Sequence, residues 1–287
     1  MFFSQLPFIV AGSVDENGDT WASFVVGRPG FLRAKSPTLI SMQYTANEHD
    51  PVSKALNTLG APIGLLGIEL NTRRRNRLNA TVTEVVNSNT INLKVDQSFG
   101  NCPQYIQTRE LNFHRDPLSN TQNIVKQPFT KFSKEAEALI DNADTMFVSS
   151  FVKAKNGSSV EGVDVSHRGG MPGFIKREGD TLTIPDYAGN FLFNTLGNFL
   201  VNPKAGLLFT NFANGDVLML TGKVKMIWDN DPKLKGFEGA KRAWCFKLIK
   251  GMWLKKALPF TATFNEYSPN TKLTGTWQAA KKLSKRS

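Results

Sequence analysis

Short segments of this chain occur twice, in the same order and about 140 residues apart. The Pro-Gly-Phe at 29–31 recurs at 172–174, the Asn-Thr-Leu-Gly at 57–60 recurs at 194–197, and the Gly-Leu-Leu at 64–66 recurs at 206–208. A leucine (Leu78, Leu220) and then a valine (Val82, Val224) follow at matching positions. A period this long is unsuited to a solenoid unit and indicates a duplicated domain. Any site at the junction is then built from two related but unequal halves.

The bulk composition is that of a globular protein with room for two domains. The chain has 287 residues, 40% of them hydrophobic and 21% charged, and it contains no run of about 18 apolar residues that would span a membrane. The apolar start has no basic leader, and Cys102 and Cys245 lie far apart without metal-ligand spacing. We therefore expect no membrane partner, no disulfide framework and a cytoplasmic location.

The formal net charge of the chain is +11. An excess of this size suits an anionic partner such as a phosphorylated cofactor, a nucleotide or a nucleic acid. It also serves solubility, and part of it lies in the basic tail at 281–286. Net charge alone favours solubility slightly over a specific partner.

The residue pattern predicts mostly antiparallel strands with one or two short helices in each half. A β-rich run on each side of an Asn-Gly turn begins each half, at 7–26 and 147–167, which predicts two hairpins. Asp50, followed by proline, predicts a capped helix, and another helix is predicted from Asn190. Residues 116–131 have no periodicity and are predicted to be a linker. Each half therefore suggests a small closed β-barrel.

No established catalytic signature is present in the sequence. The chain has three histidines without zinc spacing, and it has no Gly-x-Ser-x-Gly elbow, P-loop or Gly-x-Gly-x-x-Gly. We therefore expect no metal site, assign no catalytic residue and look for the chemistry in loops.

The loop at 166–174 combines the most groups that could hold a ligand. Ser166, His167 and Arg168 supply a hydroxyl, an imidazole and a guanidinium at the end of a predicted strand, and two glycines follow. Glycines let a backbone approach a ligand closely, and the arginine fork suits phosphate. A glycine-rich turn with a surface arginine fits the same residues equally well.

A second candidate lies just before the helix predicted from Asn190. Helix N-termini attract phosphate through their unpaired N–H groups, and Asn190 and Asn194 add side-chain donors. An ordinary asparagine N-cap explains the same pattern slightly better.

The densest positive cluster lies at 72–77 and includes Arg73, Arg74, Arg75 and Arg77. It could bind a nucleotide phosphate or a nucleic acid, but a solvated loop between two strands is the commoner role of such a run. Downstream, Cys102 lacks a neighbouring base and is predicted to be a packed thiol rather than a nucleophile.

Taken together, these loops resemble the pyridoxamine 5'-phosphate oxidase-like family of flavin-binding split barrels. The resemblance is carried by 166–174, 182–190, 193–198 and 202–203 in the second half, and by 64–70, 73–79 and 99–107 in the first. It implies a mainly β fold in which two tandem FMN-binding split β-barrels form a pseudo-dimer within one chain. We assign the first barrel to 1–127 and the second, with the main phosphate motifs, to 128–287.

The same resemblance implies a site for FMN between the barrels. It identifies Arg168 as the phosphate-binding arginine and implies further contacts at the following strand end and helix start. The cofactor-binding residues that it implies are Ser166, His167, Arg168, Thr183, Ile184, Asp186, Asn190 and Asn194, with Gln104 of the other half beside the flavin ring.

Two departures from the family pattern limit what the resemblance implies. The Ser-Arg-Lys run near the helix start and the terminal substrate-binding signature of the biosynthetic oxidase are missing from the sequence, so oxidation of vitamin B6 is not expected. In the first half, Gly27-Arg28-Pro29-Gly30-Phe31 lacks a preceding Ser-His, so we expect a degenerate pseudo-site there.

Three functions are compatible with the sequence. The first is an FMN-dependent oxidoreductase that transfers hydride or electrons to an unidentified substrate, with a nicotinamide nucleotide or another electron donor as partner. The second is a protein that binds flavin or haem without turnover. The third, nucleic-acid binding through Arg73 to Arg77 and the basic tail, is the least favoured. Pairing of whole chains into a homodimer is also open.

Overall fold

The computed structural model describes residues 2–118, 124–153, 161–189, 193–228, 231, 234 and 237–284. The strands are β1 (Phe8–Val14), β2 (Thr20–Val26), β3 (Leu32–Ser36), β4 (Leu39–Gln43), β5 (Pro62–Ile68), β6 (Arg75–Asn87), β7 (Thr90–Gly100), β8 (Thr108–Phe113), β9 (Val125–Phe129), β10 (Thr145–Val152), β11 (Gly162–Gly169), β12 (Lys176–Glu178), β13 (Thr181–Tyr187), β14 (Lys204–Asn211), β15 (Asp216–Ile227), β16 (Ala240–Lys255) and β17 (Phe260–Glu266). The helices are α1 (Pro51–Leu56), α2 (Lys134–Asp141), α3 (Asn194–Val201) and α4 (Trp277–Ser284). None of these helices is long and apolar enough to cross a membrane.

Most of the strands form two antiparallel sheets whose main paths have the same order of elements. The first sheet runs β2-β1-β5-β6-β7-β4-β3, and the second runs β11-β10-β14-β15-β16-β13-β12. Strands β10 to β16 therefore repeat β1 to β7. A helix also precedes the third strand of each sheet path, since α1 comes before β5 and α3 comes before β14. We call β1 to β8 the first half and β9 to β17 the second half. The mainly β fold and the tandem arrangement are confirmed.

The last strand of each half joins the two halves together. β8 pairs with β17 in a separate two-stranded sheet, in which Phe113 lies opposite Phe260. The halves also share a hydrophobic core, since one buried cluster contains Leu65 of the first half together with Phe147 and Leu208 of the second. The junction is therefore closed by apolar packing as well as by strand pairing.

Two of the repeated glycines allow the halves to touch backbone to backbone. A Cβ on Gly64 of β5 would lie 2.5 Å from the carbonyl oxygen of Val163 in β11. A Cβ on Gly206 of β14 would lie 2.6 Å from the carbonyl oxygen of Thr20 in β2. These are the same contact made once from each half, so the repeated Gly-Leu-Leu marks the interface between the halves.

One repeated segment does not occupy matched positions in the fold. Asn57 is the C-cap of α1, whereas Asn194 is the first residue of α3, so the two Asn-Thr-Leu-Gly copies lie at opposite ends of their helices. The Pro-Gly-Phe copies do correspond, because Gly30 and Gly173 both have a positive φ in the turn after the second strand of their half. The duplication therefore depends on the other matches.

Local predictions around the helices and the linker have mixed outcomes. Asp50 caps α1 as predicted, with its carboxylate accepting a hydrogen bond from the Val52 N–H at 2.8 Å. The prediction of a linker at 116–131 is wrong at its C-terminal end, where β9 pairs with the exposed edge of β16. The proposed boundary between residues 127 and 128 therefore lies inside a strand. Residues 190–192 lie outside the described part of the chain, and α3 begins at Asn194.

Candidate functional site

A cleft at the junction of the halves is lined by several arginines and a buried histidine. Its first-half wall comes from the start of β6 and the segment after β7, and its second-half wall comes from β11, β13 and the residues that follow them. The lining residues are Arg75, Arg77, Asn101, Cys102, Gln104, Tyr105, His167, Arg168, Gly169, Phe174, Pro185, Asp186, Tyr187, Gly189, Phe193 and Leu196.

His167 lies at the floor of this cleft with unused hydrogen-bonding capacity. The side chain belongs to a residue that is only 4% exposed, and its ring meets Phe147 edge to face. Neither ring nitrogen has a hydrogen-bond partner among the described residues. Burial, and then the positive charge of Arg75 and other nearby arginines, holds the pKa of His167 well below its usual value. The imidazole is therefore neutral at pH 7.

Arg168 follows His167 on β11, and its guanidinium is held by the carboxylate of Asp186 on β13. Its Nη1 donates to Asp186 Oδ1 at 2.8 Å, and Arg242 Nε donates to the other oxygen of the same carboxylate at 3.3 Å. The Arg242 guanidinium in turn lies over the Phe193 ring. Two cations share one carboxylate, and the Nε of Arg168 has no partner in the described ranges.

Arg77 makes the other ion pair of the cleft, and this one crosses between the halves. Its Nη1 lies 3.1 Å from Asp164 Oδ1, and the side chains of the two residues are 8% and 2% exposed. Asp164 also accepts a hydrogen bond from Thr195, whose hydroxyl oxygen lies 3.1 Å from that of Ser166. Ser166 is thereby used inside a buried network and does not line the cleft.

Arg75 has no carboxylate of its own among the described residues. Its Nε donates to the carbonyl oxygen of Cys102 at 2.7 Å, and its Nη1 lies 3.5 Å from the carbonyl oxygen of His167. Burial, and then the nearby charges of Arg77 and Arg168, lowers the pKa of Arg75 to about 9. An anion in the cleft would relieve this excess of positive charge.

Two tyrosines in the lining of the cleft, one from each half, stack against each other. Tyr105 has a φ of 65°, donates its hydroxyl hydrogen to the Ala188 carbonyl at 2.7 Å and stacks at a tilt against Tyr187. A Cβ on Gly169 would collide with the Tyr105 carbonyl oxygen, so glycine is required where β11 passes this segment. The second glycine of the motif, Gly170, makes a similarly close approach to the Phe174 ring.

The structure brings only some of the residues suggested by the sequence into the cleft. His167, Arg168, Asp186 and Gln104 line it, whereas Thr183, Ile184 and Asn194 do not. Ile184 is fully buried in the core of the second half, and Thr183 lies 3.5 Å from the sulfur of Cys245. Asn190 lies outside the described residues.

The arginines of the first half are the part of the site that sequence reasoning placed wrongly. The sequence favours a solvated loop for the cluster at 72–77, but in the structure Arg75 and Arg77 lie on one face of β6 and line the cleft. Arg73 is held by an ion pair, in which its Nη2 lies 2.6 Å from Glu266 Oε1. A sequence signal for this placement exists. Arg75 and Arg77 are two residues apart and precede a buried leucine, and alternate residues of a strand share a face.

The cleft has a counterpart on the other side of the junction, in which the aligned positions carry uncharged residues. Strand pairing aligns His167 with Phe24, Arg168 with Val25, Asp186 with Tyr44 and Arg75 with Val217. Phe24, Val25, Tyr44 and Val217 all line a second, smaller hollow. The two sites are therefore related in position, but the charged residues of the first are replaced at these aligned positions of the second.

The buried neutral imidazole predicts a dependence of stability on pH. His167 takes up a proton in the unfolded state below its ordinary pKa of about 6.5 but resists protonation when folded, so ligand-free protein loses stability as the pH falls below about 6.5. The variant His167→Gln is expected to lose less stability over the same range. Urea unfolding at pH 7, 6 and 5 checks this, and parallel curves for the two proteins would contradict it. Asp50, whose pKa burial raises to about 6, acts in the opposite sense and cancels in this comparison.

Comparisons with known proteins return similarity to solved structures alone. No protein-family model matches the chain, and no curated protein matches its sequence. Similar structures include a HupZ variant from Group A Streptococcus, with 13% identity, a TM-score of 0.33 and coverage of 42% of this chain and 98% of that one. They also include a protein of the pyridoxinephosphate oxidase family from Clostridium acetobutylicum, with 14% identity, a TM-score of 0.30 and coverage of 45% and 92%. Less than half of this chain thus spans nearly all of each.

Proposed function

We propose that this chain is a split-barrel flavoprotein that binds flavin mononucleotide in the cleft between its halves and works as an oxidoreductase. The observation that carries the proposal is the surplus of buried guanidinium groups around unpartnered polar atoms. Arg75, Arg77 and Arg168 face two carboxylates, one of which is shared with Arg242. Buried polar groups without partners are rare in proteins and call for an explanation such as a bound ligand or ion.

The donor set fits a ligand that combines a phosphate with an aromatic ring. Arg75, Arg77 and Arg168 would hold the phosphate, since guanidinium forks match its geometry. The aromatic lining by Tyr105, Tyr187 and other rings suits a flat ring system. The motifs around Arg168 resemble those of FMN-binding split barrels, and this resemblance favours flavin mononucleotide among such ligands.

When bound, the flavin supplies hydride or single-electron transfer, and the chain supplies position and environment. Asp186 holds Arg168 in place, and Asp164 does the same for Arg77. His167 offers a neutral imidazole that can donate or accept one hydrogen bond at the floor of the cleft.

The partners follow from the same proposal. A nicotinamide nucleotide or another electron donor would reduce the flavin, and the oxidised substrate is of unidentified class. Cys102 and Cys245 are free thiols, which favours a reducing, cytoplasmic compartment.

A titration with two flavins tests the proposal. We expect flavin mononucleotide to bind more tightly than riboflavin, which lacks the phosphate, with one equivalent bound per chain because the positions of Arg168 and Arg75 are occupied by Val25 and Val217 in the counterpart hollow. Arg75→Gln and Arg168→Gln are each expected to weaken flavin mononucleotide binding about 10- to 100-fold, because each removes a charge-assisted hydrogen bond, and to leave riboflavin binding unchanged. Fluorescence quenching of the flavin measures both affinities.

The control is Arg33→Gln, which makes the same chemical change at an exposed arginine outside the cleft and should leave both affinities unchanged. Equal affinities for the two flavins, or loss of binding in the Arg33 variant alone, would contradict the proposal.

A second candidate is a protein that holds flavin or haem without turnover. The unpartnered nitrogens of the neutral His167 favour it, because a neutral imidazole is a common ligand of haem iron. The absorption spectrum of the purified protein separates haem from flavin. Rapid reduction of bound flavin by a nicotinamide nucleotide in stopped flow would exclude a storage role.

A further inference from the structure

The thiol of Cys102 belongs to the wall of the cleft that the first half supplies. Cys102 lies just after β7, is half-buried and forms no disulfide. The sequence places no base beside this thiol, but the fold places a cation there, because the Nε of Arg75 donates to the carbonyl oxygen of Cys102 at 2.7 Å. Reactive cysteines are typically found in such positively charged and partly exposed surroundings.

Electrostatic effects on two neighbours show that the sulfur is close to the charges of the cleft. Burial, and then Arg77 and Arg168, lowers the pKa of Arg75, whereas a charged Cys102 sulfur counteracts this effect. Burial, and then the same sulfur charge, raises the pKa of Tyr105. Arg75 and Tyr105 both line the cleft, so a reagent that reaches the sulfur from the cleft passes the arginines.

Unused hydrogen-bonding groups lie in the same cleft as the thiol. Both ring nitrogens of His167, a residue that is only 4% exposed, lack partners within the described ranges. The side-chain oxygen of Asn101, which directly precedes Cys102, lacks a partner there too. Because buried polar groups are normally satisfied, these atoms indicate that a ligand enters the cleft. A ligand that fills the cleft therefore meets the thiol together with the arginines.

We propose that Cys102 forms a mixed disulfide with small disulfides that carry carboxylate groups, and that this adduct and flavin mononucleotide exclude each other from the cleft. The exclusion rests on the proposed function, whereas the formation of the adduct does not. A thiol reductant reverses the adduct, so the redox state of the surrounding small thiols controls access of the flavin.

The exchange is balanced without any further reactant. The Cys102 thiol releases its proton to water, and the thiolate attacks one sulfur of the small disulfide. A new S–S bond forms, the original S–S bond breaks, and the leaving sulfur departs as a thiolate with the electron pair of the broken bond. Cys102 is oxidised, and the departing half of the small disulfide is reduced.

The arginines select carboxylate-bearing disulfides over neutral ones. Guanidinium groups bind carboxylates through paired hydrogen bonds, and a positively charged cleft raises the local concentration of anions. Arg75, Arg77 and Arg168 therefore favour the encounter that precedes attack by the sulfur. A neutral disulfide gains nothing from these charges.

Cys245 provides a reference thiol within the same chain. It lies on β16 outside the cleft lining, with its sulfur 3.5 Å from the Thr183 hydroxyl oxygen. Lys225 lies opposite it on β15, but this lysine is exposed and its charge is screened by solvent. The variants Cys245→Ser and Cys102→Ser each keep one thiol, so each thiol can be followed separately in the full chain.

Reaction with two aromatic disulfides of similar shape tests the proposal. Dithiobis(nitrobenzoate) carries two carboxylates, dithiodipyridine is neutral, and each releases a coloured thiol that reports the rate. At about 0.05 M salt we expect the ratio of the first rate to the second to be about tenfold higher at Cys102 than at Cys245. At about 1 M salt, which screens the arginines, this difference should largely disappear.

Arg75→Gln in the Cys245→Ser background is expected to lower the rate ratio at Cys102 about threefold to tenfold. A displacement of the segment around Cys102 changes both rates alike and leaves their ratio unaltered, so the ratio reports the charge. The matched control is Arg33→Gln, at an exposed arginine outside the cleft, which should leave the ratio unchanged. Thermal unfolding checks that each variant is folded, and if Arg75→Gln is not, the salt dependence decides.

Flavin mononucleotide at ten times its Kd is expected to slow the reaction of Cys102 about tenfold, because only the free fraction reacts, and to leave Cys245 unaffected. Equal rate ratios at the two thiols in low salt would overturn the mixed disulfide. Flavin that binds, as shown by fluorescence quenching, without slowing Cys102 would overturn the exclusion. Absence of quenching would instead refute the proposed function and the exclusion with it, while a higher rate ratio at Cys102 would still support the mixed disulfide.

Discussion

Replacing Asp164 with alanine is expected to lower the free energy of unfolding by about 3–5 kcal/mol, because it leaves a buried guanidinium without its carboxylate. The side chains of Arg77 and Asp164 are 8% and 2% exposed, and the pair joins the two halves. The variant also removes the acceptor of the Thr195 hydroxyl. Urea unfolding followed by circular dichroism at pH 7 measures the loss.

Two further variants identify the cause of that loss. Asp141→Ala breaks an ion pair with Arg177 at the surface and should cost less than about 1 kcal/mol, since solvent screens such pairs. The double variant R77M/D164L replaces the buried pair with apolar side chains and should recover most of the stability. A change of less than 1 kcal/mol in Asp164→Ala would show that Arg77 finds water or another partner.

Gly206→Val is expected to cost at least about 4 kcal/mol or to abolish cooperative folding, because the new side chain meets backbone that cannot yield. A Cβ there would lie 2.6 Å from the Thr20 carbonyl oxygen and 2.7 Å from the Cα of Trp21. Valine otherwise suits a buried strand, so propensity does not explain a loss. Gly64→Val should behave in the same way from the other half.

The matched control is Gly100→Val, which makes the same change in β7 where no atom lies within 4 Å of the added Cβ. Its free energy of unfolding should stay within about 0.5 kcal/mol of the original, as for most surface changes. Equal stability of the Gly206 and Gly100 variants in urea would show that the halves can separate at this contact without cost.

The sequence predicted the fold better than it predicted the site. The repeated Gly-Leu-Leu indicated the duplication correctly, because the close backbone contact at Gly64 and Gly206 allows no other residue in either half. The repeated Asn-Thr-Leu-Gly misled, since four common residues match by chance more easily than a sterically fixed glycine. β9 was missed because its pairing with β16 comes from an open sheet edge and leaves no pattern in its own residues.

The site was only partly predictable because its charge comes from two distant segments. His167 and Arg168 stand in a recognisable motif. Arg75 and Arg77 are about 90 residues away, and their sequence resembles a surface loop; only the folding of β6 against β11 shows that they share the cleft. Two residues that the family pattern suggested as cofactor contacts do not line the cleft. Ile184 lies in the core, and Thr183 lies beside Cys245. Long-range pairing, which local residue patterns do not encode, decides which side chains share a cleft.

Carrying both halves in one polypeptide frees the protein from a constraint that symmetric assemblies cannot escape. In a homodimer with a two-fold axis, every substitution at the interface enters twice and alters both equivalent positions. Here one side of the junction has Phe24 and Val25 where the other has His167 and Arg168. Each side is thus open to independent evolutionary change, so specialisation of one need not sacrifice the other.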